Sequence, residues 1–391
     1  MDATRRELIM QRWRVLQHEL MPEVRQEVGS LTPKLEKVIH TLEWVRIDEF
    51  VESTGCGVGR PAHDRAALAS AFVAKTLLGL RTTAALIERL QIDRALRRIC
   101  GFAMWKRLPS ESSFSRAFEE FAQGRVAERV HEALVKEHLG EALIGHLSRD
   151  ATAIEAREKP TCKAKLGAKA EIQAQASVDL PSEANLEAEA AAEPTKPKRR
   201  RPRQGEVREP KLKRIARQVG QGLEPMLAEL PKQCDRGTKR NAQGHSVSWN
   251  GYKLHLDTAD CGVPISAILT SASLHDSQVA IPLATMSAQR VSNCYDLADA
   301  AYCDETIRVH SRSLGHVPLI DHNPRGGEKI EFAPHEAQRY QERTQAERSN
   351  ARLKDEFGAK QIWVRGHEKV MSHLMFGVLA LSADQLMRLL L

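Results

Sequence analysis

The sequence predicts an α/β protein: a mixed five-stranded sheet with flanking helices, preceded by an all-helical N-terminal domain. Three observations carry this expectation. Up to about residue 140 the apolar residues recur at three- and four-residue spacing, as in Arg5 to Leu20 and Ala66 to Leu80, the period of a helix with one buried face. From about residue 143, short apolar runs alternate with helical stretches in the order β, hairpin, helix, β, helix, β, helix. Between the first strand and the hairpin lies a long charged stretch with neither period. The expected organisation is therefore a helical domain over 1–140, a sheet domain over 141–156 and 246–391, and a basic, partly disordered insert over 157–245.

In the helical region, Thr82 and Thr83 offer a cap for a helix over Ala84 to Leu90, and Ser110 is placed to cap another after Pro109. Short helices joined by polar turns are compatible with a helix-turn-helix and with a bundle that only packs. Leu143 to Thr152 reads as the first strand. Trp249 to Leu256 alternates polar and apolar residues, Asp257 to Gly262 reads as a turn, and Val263 to Thr270 returns as the second arm of a hairpin. Asp276 is placed to cap a helix from Ser277 to Met286. Ser292 to Ala298 and Val317 to Ile320 are two more short strands with a helix between them.

The insert changes composition along its length. Residues 157–195 are rich in Ala, Lys and Glu; 196–217 hold eleven Lys and Arg against two Glu; 218–245 contain Gly, Pro and Gln. Pro194, Pro197, Pro202 and Pro210 break any continuous helix, although Lys211 to Leu230 has room for a short one. The composition is that of an arm peripheral to the sheet. Lys198, Arg199, Arg200 and Arg201 are its candidate DNA contacts, against the alternative of a solvated linker.

The formal charge is +7 and the pI about 9.0, which favours an anionic partner such as nucleic acid. The basic run alone exceeds that total, so the remainder of the chain is slightly acidic. The seven cysteines are an odd number with no C-x-x-C pair, which argues against a disulfide framework or zinc site and for reduced thiols in a cytoplasmic protein. Met1 to Leu20 is charged and lacks the apolar core of a signal peptide. Val370 to Leu391 is the most apolar stretch. It carries His373, Asp384, Gln385 and Arg388, so it reads as a buried or dimer-forming helix rather than a membrane span.

The most specific pattern is Tyr340-x2-Arg343-x3-Glu347-x6-Lys354. On one helix these positions fall at i, i+3, i+7 and i+14 and share a face. Two cations, a carboxylate and a phenol on one face suit a site that handles a phosphate backbone and a divalent metal together. Alone, Arg343 and Glu347 at i,i+4 would read as a surface ion pair.

This signature resembles the catalytic-glutamate helix of bacterial insertion-sequence transposases of the DDE type. Leu147 to Ala156 is similar to the first-aspartate strand of that family, Leu297 to Tyr302 to its second-aspartate strand end, Pro318 to Arg325 to the following strand, and Leu108 to Arg116 to part of its helical N-terminal region. The resemblance implies a ribonuclease H-like catalytic domain. It also implies metal-dependent cleavage of double-stranded DNA at terminal inverted repeats and transfer of the 3′-hydroxyl ends into target DNA. A homodimer assembled on DNA and a bacterial, nucleoid-associated location follow from it too.

Such strand transfer needs an oxygen nucleophile in line with a phosphodiester. Two Mg²⁺ ions, with Mn²⁺ as a substitute, can activate the nucleophile and stabilise the leaving oxygen, and hard ions want carboxylate oxygens. The candidate ligands and catalytic residues are Asp150, Asp299 and Glu347. Asp150 emerges from an apolar strand, where a lone carboxylate is costly without a partner. Asp299 matches the family's pattern; Asp296, three residues earlier, is its rival. Tyr340, Arg343 and Lys354 are the candidate contacts to phosphates near the transposon end. Asp276, as a cap, and Glu155, as an exposed acid, are weaker candidates. The 48 residues from Asp299 to Glu347 leave no room for the large β insertion some members carry there. The alternatives are a ribonuclease H-like nuclease that cuts without joining, and a DNA-binding protein without catalysis.

Overall fold

The computed structural model describes residues 31–51, 63–160, 213–240, 243–324 and 328–390. The expected helix over Arg5 to Leu20 and the basic cluster Lys198 to Arg201 lie outside the described residues. Six helices come first: α1 (Pro33–Val45), α2 (Arg65–Leu77), α3 (Thr83–Ile92), α4 (Arg94–Ile99), α5 (Glu111–Gln123) and α6 (Val126–Leu139). Their starts follow capping chemistry. Thr32, Asp64, Thr82 and Asp93 each accept a backbone N–H of the following turn, which satisfies donors the helix leaves open. Ser110 sits at the N-cap of α5 without such a bond to the backbone; its hydroxyl meets those of Ser112 and Ser113 instead.

The sheet has six strands: β1 (Leu143–Glu155), β2 (Asp235–Arg240), β3 (Ser246–Ala259), β4 (Pro264–Ser271), β5 (Ser292–Ala298) and β6 (Val317–Ile320). The strand order is β2-β3-β1-β5-β6, with β4 also on β3. β1 runs antiparallel to β3 and parallel to β5, and β5 runs parallel to β6. β3 is long enough to take β2 along Ser246–Gly251 and β4 along Tyr252–Thr258. Two short helices, α7 (Arg214–Gln218) and α8 (Leu223–Ala228), precede β2. Then come α9 (Ala280–Ala288), α10 (Glu305–Ser313), α11 (Pro334–Tyr340), α12 (Thr344–Asp355) and α13 (His367–Leu390).

Five expectations are corrected. The sheet has six strands rather than five, and the insert ends earlier than residue 245. From Arg214 onward the chain packs on the sheet through Ile215 and Met226, and β2 completes an edge. An edge strand needs no apolar alternation, so the polar run Asp-Arg-Gly-Thr-Lys-Arg carries no strand period. Gly237, lacking a Cβ, lets the Trp249 ring lie across it. The hairpin turn is shorter than 257–262, because Asp257 lies inside β3, fully buried, with Arg149 as partner. His275, not Asp276, occupies the N-cap before the turn Asp276–Val279; Asp276 pairs instead with Lys253, 2.8 Å away. The signature segment is not one straight helix: a 3₁₀ turn, Gln341–Arg343, separates α11 from α12.

α13 is the only helix among the described residues long and apolar enough to cross a membrane, and 78% of its apolar window is buried inside the fold. It packs against α1, α2, α5 and α6 and against β4. The rings of Phe72 and Phe118 lie 6.0 and 6.2 Å from that of Phe376 on α13. One hydrophobic core therefore runs from Leu35 through the N-terminal helices and α13 into β1, β3 and β4.

Candidate active site

The parallel pairing of β1 with β5 ends at Arg149 and Ala298. Asp150 and Asp299 each follow that last pair by one residue, so they leave neighbouring strands side by side, about 5 Å apart by strand spacing. Alternation along β1 turns Ser148 and Asp150 toward the segment 341–350. Ser148 Oγ donates to the Glu342 carbonyl at 3.3 Å, and Asn350 Nδ2 donates to Asp150 Oδ2 at 2.8 Å. Asp299 opens the turn Ala300–Tyr302, and its side chain accepts the Ala301 N–H at 3.0 Å.

Arg343 sits among the acids. Its guanidinium donates to Glu347 Oε1 at 2.7 Å and lies 4.0 Å from Asp150 Oδ1. Glu347 is over half exposed, whereas Asp150 is about four-fifths covered. Burial pushes the Asp150 carboxyl up to about 6; the Asp299 charge adds to the rise, and Arg343 and Asn350 oppose it. Asp299 is raised as well, first by burial and then by Asp276 and Asp321, with Arg343 again opposing. Asp150, Asp299 and Glu347 thus face one corner of the sheet, with the Arg343 guanidinium between Asp150 and Glu347. No three Asp, Glu, His or Cys groups among the described residues approach closely enough to share an ion. Asp150 and Asp299 are adjacent, and Glu347 is turned to Arg343.

Asp296 takes no part in this corner. It is 4% exposed and accepts from Asn293 Nδ2 (2.9 Å), Ser311 Oγ (2.6 Å) and His316 Nδ1 (3.2 Å). Burial works to raise its carboxyl, but the bond from His316, the charge of Arg149 and the bond from Ser311 together hold it down to about 2. Its acceptor positions are spent on the fold.

The remaining signature residues are spread by the 3₁₀ turn. The Tyr340 hydroxyl donates to the Ala298 carbonyl at 3.2 Å, which ties the end of β5 just before Asp299; burial pushes the phenol up to about 12. Its ring packs on Phe332. Lys354 lies at the far end of α12, where Lys239 of β2, Glu155 and Asp150 all act on its charge. Glu155 is exposed at the end of β1.

Two sets of residues behind the corner have no counterpart in the sequence reading. Arg149 and Asp257 form a buried two-pronged pair at 2.8 and 2.7 Å, and Ser287 Oγ adds a bond to the same carboxylate at 2.7 Å. They lock β1 to β3 beside Asp150. Asn350 was findable, because it stands three residues after Glu347 on the same helical face. Arg149 and Asp257 were not, since a pair 108 residues apart leaves no local signal.

Two sequence families match the chain. A model described as "Transposase domain (DUF772)" matches residues 23–120, and one described as "Transposase DDE domain" matches residues 226–383. The second match takes in Asp299, Tyr340, Arg343, Glu347 and Lys354 but begins after β1 and Asp150. No curated protein and no solved structure matches.

Proposed function

Because the chain belongs to the DDE transposases of insertion sequences, we propose that it cuts double-stranded DNA at terminal inverted repeats and joins the freed 3′-hydroxyl ends to target DNA, using the corner formed by Asp150, Asp299 and Glu347. The mixed sheet is then a ribonuclease H-like one. The observation that carries this reading is the corner itself: acids from β1, the end of β5 and α12, far apart in sequence, gather around one guanidinium.

The residues fit a hard divalent cation. Asp150 and Asp299 offer adjacent carboxylate oxygens, and burial beside other acids raises both toward protonation, a cost that a cation would relieve. Asp150 and Asp299, joined by Glu347 once Arg343 releases it, are the residues that would hold Mg²⁺, in a pair of ions, or Mn²⁺ in its place. Such ions supply charge stabilisation at the attacking and leaving oxygens of a phosphodiester.

The protein's own side chains do the positioning. Asn350 orients Asp150 by holding one carboxylate oxygen. Tyr340 fixes the end of β5, and with it Asp299. Arg343 neutralises Glu347 and Asp150 before DNA arrives and exchanges to phosphate oxygens when it does, since a guanidinium binds either anion with paired donors. Lys354 meets the backbone farther along α12. The working assembly is a homodimer on DNA, with the arm containing Lys198 to Arg201 adding affinity that does not depend on sequence.

The test compares nicking, end joining and end binding on DNA carrying the element's ends. Glu347→Gln is expected to lose Mg²⁺-dependent nicking and joining and to keep end binding, while Arg343→Ala weakens end binding. Nicking at the normal rate by Glu347→Gln would refute the assignment. Nicking without joining in the unaltered protein would reduce the function to that of a nuclease.

A further inference from the structure

A second site lies at the other end of α12. A cavity of about 270 Å³ opens between the C-terminal end of α2 and the segment from Lys354 to Gln361. Lys75, Arg81, Lys354 and Lys360 line it together with His373. Lys75 is 8% exposed. Among the described residues its ammonium has neither an ion-pair partner nor a hydrogen bond. Thr76, Phe357 and Gly358 close the cavity around it.

A buried, unpaired ammonium destabilises a fold. The burial is severe enough to push the Lys75 amine down to about 8. The acids nearby do not answer it. Asp355 and Glu356 both line the cavity, but Glu356 is engaged by Arg352 at 3.0 and 3.1 Å, and Asp355 is exposed and acts on Lys354. His373 adds no negative charge, since its Nε2 faces the Gly358 carbonyl at 3.2 Å and burial holds the ring well below its ordinary value, at about 4. The lining sets four cations against these two acids, and one of the cations, Lys75, is buried with no counter-charge among the described residues; such a lining suits a tetrahedral oxyanion.

We infer that this cavity binds a phosphate of the DNA backbone, with Lys75 as its buried anchor and Arg81 and Lys360 at its rim. The inference rests on the reading that DNA lies along α12, and it adds a grip from the N-terminal helices. Lys354 follows Glu347 by seven residues, about 10 Å along the helix at 1.5 Å per residue. A strand rising 3.4 Å per nucleotide therefore brings a phosphate about three nucleotides from the corner into the cavity. α2 lies in the region matched by the first family and α12 in that matched by the second, so one bound strand would bridge both.

The experiment uses full-length protein in EDTA, so that no step depends on metal. Binding of a duplex carrying the element's end is measured against salt for the unaltered protein, Lys75→Met and Lys360→Ala, and melting is followed with and without inorganic phosphate. Lys75→Met is expected to melt higher than the unaltered protein when no anion is present, yet to bind DNA about tenfold more weakly with a salt slope smaller by about one. Lys360→Ala, at the exposed rim, is expected to weaken DNA binding without changing the melting point. Unchanged affinity and slope in both variants would overturn the inference. If inorganic phosphate raised the melting point of the unaltered protein alone while DNA affinity stayed equal, the site would serve a free anion, and the DNA assignment would fall. Neither outcome bears on Mg²⁺-dependent nicking by Asp150, Asp299 and Glu347, which stands or falls on its own assay.

Discussion

Replacing Asp150 by Asn should make the metal-free protein more stable, although it removes a residue assigned to catalysis. Folding raises this carboxyl from 3.8 to about 6, so the folded state holds the proton more tightly than the unfolded chain does. The sign follows from linkage. The group favours folding at low pH, and that contribution is lost as pH rises from about 4 through 6. A shift of about two units at 1.36 kcal/mol each places the cost of the ionised form at ~3 kcal/mol at pH 7.5 and ~1 kcal/mol at pH 4.5. Asn is neutral at both and can still accept from Asn350. Its own amide must be buried, so the expected gain is about 1–3 kcal/mol at pH 7.5, shrinking toward zero at pH 4.5. Urea unfolding in EDTA at the two pH values measures it directly. Added Mg²⁺ should then stabilise the unaltered protein more than Asp150→Asn and close the gap. If Asp150→Asn were less stable by the same margin at both pH values, the carboxylate would not be strained in the folded state, and the cation-relief argument would fail with it.

Asp257→Asn should destabilise the fold by about 3–5 kcal/mol in urea, because it leaves Arg149 buried without its counter-charge. Asp296→Asn should lower stability by about 2 kcal/mol at neutral pH. The native carboxyl is held near 2, so its contribution is present above about pH 4 and fades as pH falls toward 2; a variant difference independent of pH would contradict this. Arg343→Ala removes the cation that lowers both Asp150 and Asp299, so NMR titration of those carboxyls should show each moving further up. Neutralising Lys198, Arg199, Arg200 and Arg201 together should flatten the salt dependence of DNA binding by up to about 3.6 log units per log unit, whereas an unchanged slope would make the arm a passive linker.

The sequence was most legible where chemistry and period are local. β5 and β6 begin and end where the apolar runs Ser292 to Ala298 and Val317 to Ile320 begin and end. Thr82 caps α3 as its position implies. What was illegible depends on partners distant in the chain. Asp257 looked like a turn residue because polar residues usually mark turns; only Arg149, folded against it, makes a buried strand position tolerable. β2 was hidden because an edge strand at Gly237 is defined by Trp249 rather than by its own pattern. The 3₁₀ turn at Gln341–Arg343 was hidden for a similar reason: the tether from Tyr340 to Ala298 is a contact between separate elements, which helical spacing cannot anticipate.

The shared core has a consequence for the newborn chain. Phe72 and Phe118 rest on Phe376, and α13 is the last of the described elements to be made. The 227 residues between Leu139 and His367 take on the order of 10–45 s to translate at about 5–20 residues per second. Throughout that interval the helices that open the chain lack the apolar ridge that completes them, and their uncovered side chains are exposed to chaperones and to aggregation. A ribosome that stalls before α13 therefore leaves those helices without the face that completes their core.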